Sequence, residues 1–414
     1  MSKKEPVMHE NASHPWEFQQ RLLPDSYGRD SRLAARDVKA AVAEIKKVAR
    51  KDARLGAVGA LLFLEVVSPA IASVNGSSGA IGSTTEKAVK TLVAIFADAP
   101  LETEVREAWL ERIWVAYLKD TVPYIESLAD YWGELCKSKA LASTWADRLL
   151  EESRDAWGPD PATYRFFRGT KVCLSALEHA ERYEDILDLL GRAPFSMWYF
   201  SQHGVRALAA LGRVDEALLY AIEHRGLNGD PIAMARTCEE VLLNAGRVDE
   251  AYERFGLEAH KAHTNLAWFK AVVKTYPHKS QAEVLADLVA LTPGREGSWF
   301  AAACSAGFYD EALQLARQSP CAPQTLTRAA RDMEVKRPEF AREAGMAALH
   351  GLVEGAYYSV TGEDVKAAYT HTMNAAEHLG EAESTRERIR ELVAGESTDD
   401  RFITKVLGRA LGLR

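Results

Sequence analysis

Three times this sequence writes nearly the same ten residues. Residues 209–218 read Ala-Ala-Leu-Gly-Arg-Val-Asp-Glu-Ala-Leu, 243–252 read Leu-Asn-Ala-Gly-Arg-Val-Asp-Glu-Ala-Tyr, and 304–313 read Cys-Ser-Ala-Gly-Phe-Tyr-Asp-Glu-Ala-Leu. A phrase that recurs every few tens of residues marks a repeat architecture, in which each unit buries its apolar face against the next. The chemistry of the phrase is that of a turn between two helices. Glycine at the end of a helix takes the left-handed cap. Asp and Glu then enter the first turn of the following helix, where its positive dipole end favours them. The alanine after them lets two helices approach closely. The expected fold is all-α, an α-solenoid of antiparallel helical hairpins.

The spacing supports this. Arg182 to Arg213 is 31 residues and Arg213 to Arg247 is 34, while Gly246 to Gly307 is 61, about two units. The intervening hairpin is expected to turn at Tyr276-Pro277-His278-Lys279. Asp230-Pro231 reads as an N-cap followed by proline in the first helical position. Thr361-Gly362-Glu363-Asp364 precedes a helix over 365–379, and a last hairpin runs to about 393. The repeat region is expected over 162–395, opening with a helix over 162–180, and 396–414 form a tail or capping helix.

Upstream, 1–30 read as a loosely ordered lead-in, with Trp16, Phe18, Leu22 and Leu23 available to dock. Residues 31–157 form an N-terminal helical block, HEAT-like or irregular. Its helices are expected over 31–54, over 55–74, from the capping-box spacing Ser83-Thr84-Thr85-Glu86 onward, and over 102–118, 124–139 and 142–156. Gly158-Pro159-Asp160-Pro161 reads as the linker between block and repeats.

Composition narrows the function classes. A net charge of −8 on 414 residues argues against a general nucleic-acid coat. Cysteines 136, 173, 238, 304 and 321 are odd in number and include no C-x-x-C pair, so they read as buried thiols in a reducing compartment, the cytoplasm. Residues 1–18 lack an apolar signal region. The most apolar stretch, 55–74, is interrupted by Glu65 and Pro69 and reads as a core helix; no membrane association is expected.

Catalytic signatures are missing. There is no G-x-S-x-G, Walker A or G-x-G-x-x-G. Gly76-Ser77-Ser78-Gly79 reads as an interhelical turn with no lysine at P-loop spacing, and Arg168-Gly169-Thr170-Lys171 lacks the preceding strand and glycine. His371 and His378 lie two helical turns apart, too far to share a metal, and His9, Glu10 and His14 make no H-E-x-x-H. Glu239 and Glu240 point about 100° apart on a helix and read as a solvated face. No metal or cofactor is expected. Trp198, Phe200, Trp268, Trp299 and Phe300 read as core between repeats.

Leu211-Gly212 with Glu216-Ala217-Leu218 resembles the second half of a tetratricopeptide-like repeat, whose period is about 34 residues. The stretches 276–279, 292–300 and Ser319-Pro320-Cys321, together with 75–82 and 132–136, are similar to a poorly characterised bacterial family. The helical region of that family also occurs downstream of SWIM-type zinc fingers. The resemblance spans most of 60–395 and is carried by structural motifs, so it implies fold more than activity. A SWIM finger needs C-x-C followed by C-x-H; neither is here, and no zinc or nucleic-acid role is carried over.

In tetratricopeptide-like arrays the first helix of each hairpin lines the concave groove. Counting back from the turns by that spacing implies groove positions at Arg168, Lys171 and Glu178, then Tyr199, Gln202 and Arg206, then Arg236, Glu240 and Asn244, and finally Lys274. This list leans basic. Arg and Tyr also anchor interfaces. The expected function is a non-catalytic scaffold or adaptor that binds a peptide or protein in the groove. The alternative is an RNA- or DNA-associated factor using a basic groove, which would show steep salt dependence. An unfamiliar enzyme would place its site near 158–168. The oligomeric state is left open.

Overall fold

In a computed structural model, residues 14–24, 26–77, 79–158, 160, 164–226, 229–355, 360–396 and 401–413 are described. The described residues are helices and connections, with no strand among them. Two compact units divide the chain, Met1–Ala245 and Gly246–Arg414.

The first unit begins with α1 (Glu17–Arg21), α2 (Ser31–Ala49), α3 (Ala53–Ile71), α4 (Ala80–Asp98) and α5 (Thr103–Leu118). α2, α3 and α4 pack on one another, and α5 lies against α3. α3 is long and apolar enough to cross a membrane by length and composition, yet 61% of that window is buried inside the fold. Its Glu65 accepts both arms of Arg112, at 2.7 and 2.8 Å. The lead-in is packed where it is described. Trp16, Phe18 and Leu22 are buried, and Phe18 meets Phe63 of α3 edge-on at 6.1 Å. The Glu44 carboxylate accepts the Glu17 and Phe18 amides, satisfying the first turn of α1. Leu23, expected to dock with the others, is 50% exposed.

Two boundaries here differ from expectation. α4 starts at Ala80, after Gly79 in the left-handed region (φ 67°), not at the capping-box spacing of 83–86. Thr85 is instead a buried helix residue whose hydroxyl donates to the Ile81 carbonyl at 2.9 Å. The expected single helix over 124–139 is a 3-10 run, Glu126–Tyr131, followed by α6 (Trp132–Cys136). Lys137, at φ 66°, ends it, and Ser138 caps α7 (Lys139–Ala156).

α8 (Gly169–His179), α9 (Tyr183–Gly191), α10 (Trp198–Ala210), α11 (Val214–Glu223) and α12 (Pro231–Asn244) complete the unit. α8 packs on α7, α9 and α10, and α10 packs on α11 and α12. Of the expected linker, 159 and 161 lie outside the described residues, as do 162 and 163. The helix expected from 162 begins only at Gly169. Its start is held by Arg168, whose guanidinium donates to the Asp120 carbonyl at 2.7 Å and stacks over Tyr117. Trp114, Trp132 and Trp145 cluster with centroids 4.9–6.0 Å apart in the core of this unit.

The second unit holds α13 (Val248–Ala251), a π-turn at Tyr252–Gly256, α14 (Leu257–Ala259), α15 (Asn265–Thr275), α16 (Gln281–Ala290), a 3-10 turn at Glu296–Trp299, and α17 (Phe300–Ala306). α18 (Tyr309–Gln318), α19 (Pro323–Met333), α20 (Pro338–Val353), α21 (Gly362–Leu379), α22 (Ala382–Ala394) and α23 (Phe402–Leu411) follow. α15 and α16 flank the expected turn at 276–279. α21 starts three residues earlier than expected, because Thr361 and Asp364 form a reciprocal capping box. The five aromatics expected in the core are buried: Trp198 and Phe200 in the first unit, Trp268, Trp299 and Phe300 in the second.

The repeated phrase folds as its chemistry requires. Gly212, Gly246 and Gly307 have φ of 78°, 75° and 83°. Ala217, Ala251 and Ala312 are fully buried. At Gly212 the Arg213 amide reaches back to the Leu208 carbonyl at 2.9 Å, and at Gly307 the Phe308 amide reaches Ala303 at 3.0 Å. These are Schellman closures. The same closure recurs at Gly380, where Glu381 bonds to Ala376, and at Glu181 (φ 60°), where Arg182 bonds to Leu177.

Candidate functional site

A concavity of about 680 Å³ in the first unit is lined mainly by the 3-10 run, α6, α8, α10 and α12. Its base depends on Gly133. A Cβ there would sit 2.4 Å from the His179 Cβ and 2.5 Å from the Ser175 carbonyl oxygen, so only glycine lets α6 lie this close to α8. The Gly133 amide donates to the Ser175 hydroxyl at 3.1 Å, and that hydroxyl donates to the Asp130 carbonyl at 3.0 Å.

Three helices then supply the walls. α8 contributes Ser175, Glu178 and His179, α10 contributes Arg206, Ala209 and Ala210, and α12 contributes Glu240, Val241 and Asn244. Each set follows the three- and four-residue spacing that puts side chains on one helical face.

Carboxylates dominate the lining: Asp130, Glu134, Glu178 and Glu240, against Arg206 and His179. Asp130 is paired with the Lys171 ammonium at 2.8 Å. Glu178 has His203 Nδ1 2.5 Å from one oxygen and Arg206 3.8 Å from the other. Burial pushes the Glu178 carboxyl up. The His203 bond and the nearby Arg206 and His179 outweigh it and hold the group below the usual range, hence ionised. His203 is itself 2% exposed, and its Nε2 has no partner. Glu134 and Glu240 are exposed, and neither carboxylate has a hydrogen bond or ion pair among the described residues.

The positions expected to line a groove are thus divided. Glu178, Arg206, Glu240 and Asn244 meet in the cleft. Arg168 is bound instead to Asp120, away from the lining, and Lys171 lies outside the lining and is paired with the cleft's Asp130. Tyr199 lies under the Lys171 ammonium, 5.8 Å from its ring centre, and lines a separate aromatic hollow of about 200 Å³ with Trp157, Phe166 and Phe195. Gln202 donates to the Tyr199 carbonyl at 3.2 Å. Arg236 is exposed on α12 outside the cleft lining, and Lys274 is exposed in the second unit. The basic lean of the expected list therefore does not carry over to the cleft, because two of its cations are neutralised by local acids.

Two further expectations are corrected. Glu239, read as solvated, is buried on α12. Cys304, read as buried, is partly exposed, though burial still pushes its thiol up to about 12. Sequence reasoning missed Asp130, Glu134 and His179. The first two come from the N-terminal block, outside the repeat frame, and the usable signal was Gly133 among bulky neighbours.

Chemically the cleft is suited to holding a ligand by charge and shape. Its serine hydroxyl, Ser175, is held between two backbone groups, the His179 imidazole in its lining lies 3.2 Å from the Lys137 carbonyl oxygen, and the neighbouring His203 is shut from solvent. No family profile, no curated protein and no solved structure matches the chain.

Proposed function

We propose that this chain is a non-catalytic interaction module. It is an α-solenoid of tetratricopeptide-like hairpins that receives an extended peptide or protein segment, and it acts in a reducing compartment such as the cytoplasm. The observation that carries the reading is the delivery of Glu178, Arg206, Glu240 and Asn244, from three helices, into one cleft. Adjacent packed helices lie about 8–10 Å apart, so α8 to α12 spans about 20 Å, the reach of roughly six extended residues. The recurring left-handed closures at 181, 212, 307 and 380 support the hairpin repeat. A phosphate backbone is disfavoured, since Arg206 in the cleft stands beside Glu178, and Arg168 and Lys171 nearby are already paired with acids.

The test is peptide display panned against the native protein and against Ala210→Trp. Ala210 is exposed on the cleft wall, so the indole fills the cleft without disturbing the core. Enriched peptides are expected to bind the native protein and to lose at least tenfold in affinity for the variant, with its helical spectrum unchanged. Peptides that bind both forms equally would remove the cleft from the function.

A further inference from the structure

We propose that the occupant of the cleft is a cationic segment, a run of Lys and Arg side chains on an extended peptide. The inference rests on the reading of the cleft as a docking site and adds the chemistry of its partner.

The argument is a charge balance within one cavity. Four carboxylates from four different elements converge on it, and two of them are already answered. Asp130 has Lys171, and Glu178 has His203 and Arg206. Glu134 on α6 and Glu240 on α12 are not, and they stand at the two ends of the helix series that forms the walls. A neutral or acidic occupant would leave both without a counter-charge, and an acidic one would add repulsion. A cationic occupant supplies what the protein itself lacks there.

The surface between the carboxylates fits the rest of such a side chain. Ala209, Ala210, Val214, Val241 and Ala245 line the cleft between the acids. Lys and Arg lay apolar methylene stems along surface of this kind while their heads reach a charge. The small alanines leave room for those stems. Arg206 is not a competing anion site, because it stands 3.8 Å from Glu178, which also holds His203. Exposed ion pairs are individually weak, so two of them select a partner rather than fix it tightly.

The experiment uses the full chain and three labelled peptides of about eight residues, long enough to span the walls. One alternates Lys/Arg with Ala, one has Gln and one has Glu in place of each cation. Binding is followed by fluorescence anisotropy at low and at physiological salt. The cationic peptide should bind at least tenfold more tightly than the Gln peptide, more weakly at high salt, and not measurably to Ala210→Trp. Glu134→Gln/Glu240→Gln should weaken it about three- to tenfold. Glu104→Gln/Glu107→Gln removes the same charge from the exposed face of α5 and should leave binding unchanged. Equal loss in both double variants would show attraction to net charge alone and would overturn the proposal. If the Gln or Glu peptide binds best and Ala210→Trp abolishes it, the docking site stands and the cationic occupant falls. If no peptide binds, both fall.

Discussion

At the scale of single residues, the cleft is positioned by half-buried and buried polar side chains whose partners lie far away in sequence. Glu178 is held by His203 and Arg206, 25 and 28 positions on. Its carboxyl lies below the ordinary value of 4.5. A carboxyl whose folded value is depressed stabilises the fold above its unfolded value, and the contribution is lost as pH falls through the folded one. Glu178→Gln should therefore cost about 1–3 kcal/mol near pH 7, with the gap from the native protein closing below about pH 4.5 in denaturant titrations. A gap that is unchanged down to pH 3 would separate Glu178 from that network. Buried alanines 217, 251 and 312 were legible because the phrase repeats them. Arg106 was not. It is 4% exposed and donates to the carbonyls of Phe96, Ala97, Ala99 and Leu135, tying the end of α4 to α6. A lone arginine on an apolar stripe gives no warning of this, since its partners are backbone groups set by tertiary packing.

At the scale of elements, one closure does the same work with two different residues. Gly212 and Glu181 both sit in the left-handed region, at φ 78° and 60°, with the same reach-back bond from the next amide. The left-handed region costs a non-glycine residue roughly 1–2 kcal/mol. Glu181→Gly should raise stability by up to about 1 kcal/mol, because the Lys139–Glu181 pair it removes is exposed on both sides. Gly212→Ala should lower stability by about 1 kcal/mol. Thermal melts of the two variants check this, and shifts of the same sign would contradict it. Hairpin turns were readable wherever glycine marked them. Helix starts were less so: the capping-box spacing at 83–86 lost to the turn ending at Gly79, and the helix expected over 162–180 starts at Gly169, after Arg168, which binds Asp120. At the first place one local signal, the left-handed turn at Gly79, prevailed over another; at the second a tertiary contact prevailed over a local signal.

At the scale of the whole molecule, the division at 245/246 falls inside the second written copy of the phrase. Repetition marks where helices turn and says nothing of where a core ends. The all-α class was legible from period and turn chemistry. The cleft was legible only in part, since the repeat frame placed Glu178, Arg206, Glu240 and Asn244, while Asp130 and Glu134 arrive from a block with no period. Their arrival reverses the electrostatic reading of the groove from basic to acidic. Docking of an extended cationic segment in this cleft can be read out by photo-crosslinking. A Lys/Arg peptide bearing one photoreactive side chain is irradiated with the full-length protein, and the adducts are located by mass spectrometry. Adducts are expected within 130–134, 175–183, 206–214 and 240–245, and should be suppressed in Ala210→Trp. Adducts concentrated on the exposed Leu219 and Ile222 of α11, or in 246–414, would place the peptide outside the cleft and rule out this docking site.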